Sequence, residues 1–315
     1  MHKILFLHKK IYYIISFHYK RLRNNVINSP FFFKMKLKYL LPLGFYDTKF
    51  LKVALDEGWK NRIQDVVDCS DNKLIKRHPK AGEIKNGKQL MHNGIAVTLG
   101  GYYGAAIAQM LSLNKGVHEP QEEYAFQEVL KNIKEGATMV EYGSYWSFYS
   151  IWFQKKIKNA HTFLVEPDIF NMQYGINNFK INNVKGNFYN AFIGKISGVE
   201  NGTPIICTDN YVATNKIEFI DILHSDIQGF EYDMLLGSAQ TIKQNKIGYI
   251  FISTHGNDVH YKCLQFLEQH NFKILCSADE FETYSLDGLI VARAAHYQGL
   301  DTIEISLKRK EKPHA

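Results

Sequence analysis

The chain has 315 residues, 45% of them apolar, a formal net charge of +7 and four scattered cysteines, Cys69, Cys207, Cys263 and Cys276. This length suits one large domain, or one domain with a substantial extension, built around an ordinary core; without CxxC or zinc spacing the cysteines exclude a disulfide framework. Residues 1–40 hold nine Lys and Arg and no acid, more than the whole excess, so the rest is slightly acidic and no nucleic-acid partner is expected.

In residues 1–40 the longest apolar run, Ile11–Phe17, is far shorter than the ~20 residues a membrane span needs. Lys9 and Lys10 interrupt any signal-peptide pattern. The segment reads as an accessory leader, with translation starting at Met35, in preference to a basic anchor making peripheral contact with an anionic membrane surface. Residues 41–136 read as an N-terminal cap and substrate region: helical spacing over Gly44–Ile75, a strand over Ile95–Leu99 and a glycine-opened helix over Gly100–Ser112. His118–Glu123 (HEPQEE) opens a helix to about Ile133, with Pro120 and first-turn acids as ordinary N-terminal chemistry.

From Ala137 the pattern alternates. Strands are predicted near 138–142, 162–166, 185–193, 218–224, 247–254, 272–276 and 286–293, and helices near 146–158, 168–181, 230–243 and 259–270. Residues 209–218 read as loop or partial helix, and 296–315 as a charged tail. Seven strands with interleaved helices make a doubly wound α/β sheet. Two strands end in acids: Glu141, followed by Gly143, and then Glu166. A glycine there allows close backbone approach, and a carboxylate after the second strand suits a ribose diol. The pair points to a Rossmann-like fold holding an adenosine cofactor. The first turn lacks GxGxxG, which disfavours a nucleotide-dependent oxidoreductase.

Asp221–Leu236 (DILHSDIQGFEYDMLL) resembles the D-x-x-x-x-D-x-[EQ]-G-x-E motif of the FkbM family of methyltransferases, which use S-adenosylmethionine. Val140–Gly143 and Val165–Asp168 fit the family's cofactor motifs. MHNG (91–94), GGYYG (100–104), HEPQEE (118–123), YWSFYS (145–150), Ser253-Thr254-His255 and Asp287–Val291 resemble a subgroup associated with polysaccharide biosynthesis. Each motif is weak alone, but the ordered set over residues 77–295 is specific. The resemblance implies a class I methyltransferase fold: a seven-stranded, mainly parallel sheet with an antiparallel last strand, the cofactor domain at 137–295. It implies cytoplasmic O-methylation of a hydroxyl on a sugar, glycan or glycosylated metabolite. In one departure from the family pattern, only Gly143 remains in the first loop, and Ser144-Tyr145-Trp146 leave less room over the methionine part.

By the resemblance, Glu166 would bind the ribose hydroxyls, Gly143 and Ser144 would line the amino-acid end, and Glu141 would reach the ammonium. Asn190 and Ala191 would lie near the adenine, although Asn190 reads nearly as well as a turn residue. Strand ends gather His224, Asp226, His255 and Asp287 on one rim, with Asp226 counted as a cofactor contact too. A hydroxyl acceptor benefits from a base, and histidine titrates in the useful range. The expected base is His255, oriented by Asp287 or Asp226; the alternative is a strand-end cap. His118, Glu119, Tyr145, Trp146 and His224 are the substrate-side candidates, with His224 read as more structural. His118, Glu119 and Glu122, with Asp226 and His255, are the weak candidates for a divalent metal. A solvated acidic first turn is the preferred reading, and no metal is expected. A non-catalytic glycan-binding protein on this fold is the alternative, which fold alone does not separate.

Overall fold

The computed structural model describes residues 47–308, together with Phe33, Lys38, Leu41 and Gly44. The leader readings for residues 1–40 therefore fall almost entirely outside the described residues. Seven strands form the central sheet: β4 (Thr138–Tyr142), β5 (His161–Val165), β6 (Asn187–Tyr189), β10 (Ile220–Asp226), β11 (Ile247–Thr254), β12 (Phe272–Ala278) and β13 (Gly288–Ala294). Their order is β12-β13-β11-β10-β4-β5-β6. All neighbours are parallel except β13, the last strand in sequence, which lies antiparallel between β11 and β12. This is the expected class I arrangement.

The strands are legible because both faces of the sheet are covered, and a strand buried on both sides needs an unbroken apolar run. All eight residues of β11 are buried. Side chains alternate between two cores. Met139, Leu164, Ile222, Phe251 and Val291 enter one core; Val140, Val165, Leu223, Ile250 and Ile290 enter the other. The first core is shared with α3 (Pro120–Val129), α4 (Phe148–Lys156) and the cap; the second with α6 (Thr208–Thr214), α7 (Glu231–Leu236) and α9 (Asn257–Gln269).

The cap holds α1 (Glu57–Asp68), whose N-cap Asp56 accepts from the Trp59 amide, and α2 (Gly104–Leu113). Between them an antiparallel meander joins β1 (Ile84–Lys85), β2 (Lys88–Leu90) and β3 (Ala96–Thr98). Two asparagines one turn apart on α5 (Ile169–Ile181 and its C-cap Asn182) take the place of a further strand beside β3. Asn178 Oδ1 accepts from the Thr98 amide at 2.8 Å. Asn182 Oδ1 accepts from the Ala96 amide at 3.1 Å, and its Nδ2 donates to the Ala96 carbonyl at 2.7 Å.

Several expectations need correction. The strand read over 185–193 breaks at Asn190-Ala191 into β6 and β7 (Phe192–Ile193). β7 pairs with a hairpin not anticipated from sequence, β8 (Gly198–Glu200) and β9 (Thr203–Ile206). The helix read over 230–243 is split at Gly237-Ser238 into α7 and α8 (Ala239–Lys243). Asp209 starts α8 by accepting from the Gln240 and Thr241 amides. Residues 296–308 do not form a free tail. Ile303 is buried, its amide donates to Leu275, and Ser306 donates from both its amide and hydroxyl to Asp71. Among the described residues, no helix is long and apolar enough to cross a membrane.

Candidate active site

The carboxyl ends of β4, β5 and β10, the β7 segment and the cap enclose a cavity of about 330 Å³. β4 delivers Glu141 and then Gly143, which has φ +72° and sits so close to β10 that a Cβ would collide with the Asp226 carbonyl. The glycine thus serves strand packing as well as backbone approach to a ligand. The Gly143 and Ser144 amides both donate to the Val165 carbonyl, fixing the turn. Glu141 is buried against the cavity with Oε2 unpartnered, and burial pushes its carboxyl up to about 7. Ser144 Oγ and His224 Nδ1, also on this wall, lack partners. Buried polar atoms without partners are uncommon and call for a ligand or water.

Glu166 ends β5 at the cavity wall. One oxygen accepts from the Tyr145 amide and the other from the Asp168 amide, both at 2.9 Å. Each carboxylate oxygen keeps a lone pair for a ligand hydroxyl. Burial raises this carboxyl, and those two amides oppose the rise. Asn190 turns away from the cavity: its Nδ2 donates to the Glu166 and Pro167 carbonyls at 2.8 Å. Ala191 is buried in the core, and it is Phe192 and Ile193 that line the cavity here. Asn190 is thus a brace for the turn, the plainer of its two readings.

Of the four residues expected on the rim, Asp226, His255 and Asp287 converge, while His224 pairs with Glu122. His255 Nε2 lies 3.5 Å from Asp226 and 3.3 Å from Asp287, while Nδ1 lies 2.9 Å from Glu231 on α7. Glu231 also accepts from the Gly229 amide at 3.0 Å, holding the turn after β10. Burial alone would lower His255, but Glu231, Asp287 and Asp226 outweigh it and lift it to about 9. Burial raises Asp226 to about 7 against the pull of His255. Burial raises Asp287 as well. Asp226 lines the cavity; His255 and Asp287 do not.

The first turn of α3 corrects the solvated reading, because Gln121, Glu122 and Glu123 are all buried. Their partners explain how. Glu122 reaches His224 Nε2 at 2.6 Å and accepts from the Ser253 hydroxyl at 3.0 Å. Glu123 lies 2.6 Å from His118 Nδ1 and 3.0 Å from His92 Nε2. His118 Nε2 lies 3.0 Å from Glu119, which also accepts from the Tyr149 hydroxyl at 3.1 Å. Burial opposes protonation of His118, yet Glu119 and Glu123 lift it to about 10. Both of its nitrogens are engaged, so only Glu119 of this pair offers a free oxygen to the cavity it lines. His118 and Glu122 serve different partners and do not converge as metal ligands. Among the described residues no group of three His, Cys, Asp or Glu is arranged to hold a metal ion.

Aromatic side chains complete the wall. Trp146 stacks on Tyr102 with centroids 4.5 Å apart and planes 6° from parallel, so it lines the cavity without filling it. Tyr103, Tyr145 and Gln228 all line the cavity at positive φ, of 43°, 33° and 56°. Among the other non-glycine residues in this backbone region, most are asparagines. Strain on bulky residues tends to collect at ligand sites.

Residues 128–274 match the Methyltransferase FkbM domain. The chain carries an FkbM methyltransferase domain. It supplies Glu141, Gly143, Glu166, Asp226, Glu231 and His255, while Glu119, Glu122, Tyr103 and Asp287 come from segments flanking it. Solved structures similar to the chain include a precorrin-6y C5,15-methyltransferase from Geobacter metallireducens GS-15. It is 14% identical, with TM-score 0.39, over 56% of this chain and 89% of that one. A ribosomal protein L11 methylase from Lactobacillus delbrueckii subsp. bulgaricus is 14% identical, with TM-score 0.39, over 57% and 80%. M. capricolum TrmK in complex with S-adenosylhomocysteine is 14% identical, with TM-score 0.38, over 55% and 69%. A search of curated proteins finds no match. His92, Glu123 and Tyr149 stand inside the segments MHNG, HEPQEE and YWSFYS, but sequence reasoning gave none of them a role of its own, since their spacing in the chain carries no signal of their meeting.

Proposed function

We propose that the protein methylates a hydroxyl of a sugar, glycan or glycosylated metabolite, with S-adenosylmethionine as donor. The observation that carries the reading is a cavity with unpartnered Glu141 and Ser144 at one end, Glu166 beside it and Asp226 at the opposite strand end. That donor set fits the cofactor: Glu141 faces the place for an ammonium, which would favour its ionised form, and Glu166 retains acceptor capacity for two hydroxyls. When bound, S-adenosylmethionine supplies an electrophilic methyl group on a sulfonium.

The chain's own residues do the remaining work. Positioning donor and acceptor in line is the larger contribution, and removing the acceptor's proton is the second. The geometry favours Asp226 as the proton acceptor over His255. Asp226 lines the cavity and is held near 7, while His255 does not line it and is lifted to about 9 by its three carboxylates, which favour its protonated form at neutral pH. His255 then acts as a positioning residue that stabilises ionised Asp226, and Asp287 shares that charge. Glu119, with one oxygen free, is placed to accept from a second hydroxyl of the acceptor.

Calorimetric titration tests the donor. S-adenosylmethionine should bind the wild type, and Glu166→Ala should weaken it by roughly 30-fold or more, the worth of hydrogen bonds to a charged group. A wild type that gives no heat with S-adenosylmethionine would remove the assignment.

A further inference from the structure

The interior and the mouth of the cavity have opposite chemistry. Inside, the wall offers Glu119 and Asp226, groups that bind hydroxyls. At the mouth, three wall residues are large, apolar and open to solvent: Tyr103 is 46% exposed, Phe192 39% and Phe230 55%. They come from three separate elements: the turn before α2, β7, and the turn before α7. Tyr103 is at positive φ, so the backbone holds this ring at the mouth against its own preference. Single exposed apolar residues are ordinary, but a group of them bordering one concave site marks a surface that something covers.

Taking the proposed methyl transfer as given, we propose that the acceptor is an amphiphile. Its hydroxyl-bearing head enters between Glu119 and Asp226, and an apolar body attached to that head lies on Tyr103 and Phe230, while Phe192 lies on the side expected to take the adenine. Tyr103 and Phe230 border the part of the wall that carries Asp226, so an acceptor that meets Asp226 reaches them too. A short polar oligosaccharide would leave the rim bare. An alkyl or aryl aglycone, or the acyl portion of a glycolipid, would cover it.

The test uses the full chain saturated with S-adenosylhomocysteine and titrated calorimetrically with methyl, hexyl and octyl β-glucosides, each below its micelle concentration. Affinity should rise from methyl to octyl by up to about threefold per methylene where the alkyl chain meets the rim. Phe230→Ser should remove most of that rise, and Tyr103→Ser, on the cap side, gives a second reading should Phe230→Ser fold poorly. Leu113→Ser, an exposed apolar residue at the far end of α2, should leave the rise intact. Equal affinity for the three glucosides in a protein that binds S-adenosylhomocysteine would overturn the amphiphile, as would a rise that survives both rim substitutions. Failure to bind S-adenosylhomocysteine, with the chain-length dependence present, would instead remove the donor and leave the rim standing.

Discussion

His118 keeps its proton because two buried carboxylates hold it, and those carboxylates stay ionised because it does. Breaking such a group by removing one member leaves uncompensated charge in the interior. His118→Gln should therefore lower unfolding stability by about 3 kcal/mol in urea denaturation. The sign with pH follows from linkage. Raised from 6.5 to about 10, His118 contributes fully below 6.5, less as pH climbs, and nothing above about 10. Glu119 and Glu123, lowered from 4.5, contribute above that value and lose their contribution as pH falls. Wild-type stability should thus fall off at both ends, and His118→Gln should flatten the alkaline side. Asp226 sets a different profile. If it accepts the acceptor's proton, turnover should rise with pH through about 7. Asp226→Asn should cost at least about a hundredfold in kcat and abolish that rise; a variant keeping the wild-type profile would return the role to another group.

At the level of elements, the strap of asparagines on α5 joins three parts. Asn178 accepts from Thr98 of β3 and donates from Nδ2 to the Trp146 carbonyl at 2.9 Å, in the turn that opens the cofactor loop. Asn178→Ala would strand a buried amide and a buried carbonyl at once. It should cost about 2 kcal/mol and loosen S-adenosylmethionine binding, although Asn178 does not line the cavity; unchanged cofactor affinity would show that the loop holds itself. Which elements were legible follows from the same physics. The buried strands of the sheet announce themselves as apolar runs, and the acids at the ends of β4 and β5 stand at the edge where a parallel sheet opens. The hairpin β8–β9 is short and lies half in solvent, so its composition differs little from loop. The acids of α3 were misread because first-turn carboxylates usually answer the helix dipole in water. Here they answer His118, just ahead of the helix, and His92 and His224, which arrive from distant parts of the chain.

Across the whole molecule, the sheet order brings Glu141, Glu166, Asp226, His255 and Asp287 to one edge, and this was readable because strand order in such a fold constrains which ends meet. The cap's contribution was readable only in outline, as a substrate region at 41–136 with His118 and Glu119 among its candidates. Nothing in the spacing of Glu119, Tyr103 and Asp226 says that they border one cavity, since their meeting depends on how the meander and α2 seat against α5. Ser306 reaching Asp71, 235 positions back in the chain, closes the molecule. With that closure, Gln121 on α3 is bound to the Thr283 hydroxyl, the Tyr284 amide and the Ser306 carbonyl.

The strap of Asn178 and the buried turn of α3 together bear on where the chain can be divided. The family match spans 128–274, yet a piece cut at those limits would leave His224 without Glu122, Asn178 holding no strand and His255 without Asp287. A unit that keeps this edge in order therefore runs at least from Ala96 of β3 to Asp287, 192 residues against the 147 matched. Acquiring a new acceptor by exchanging the cap alone would mean rebuilding the support beneath the cofactor loop as well.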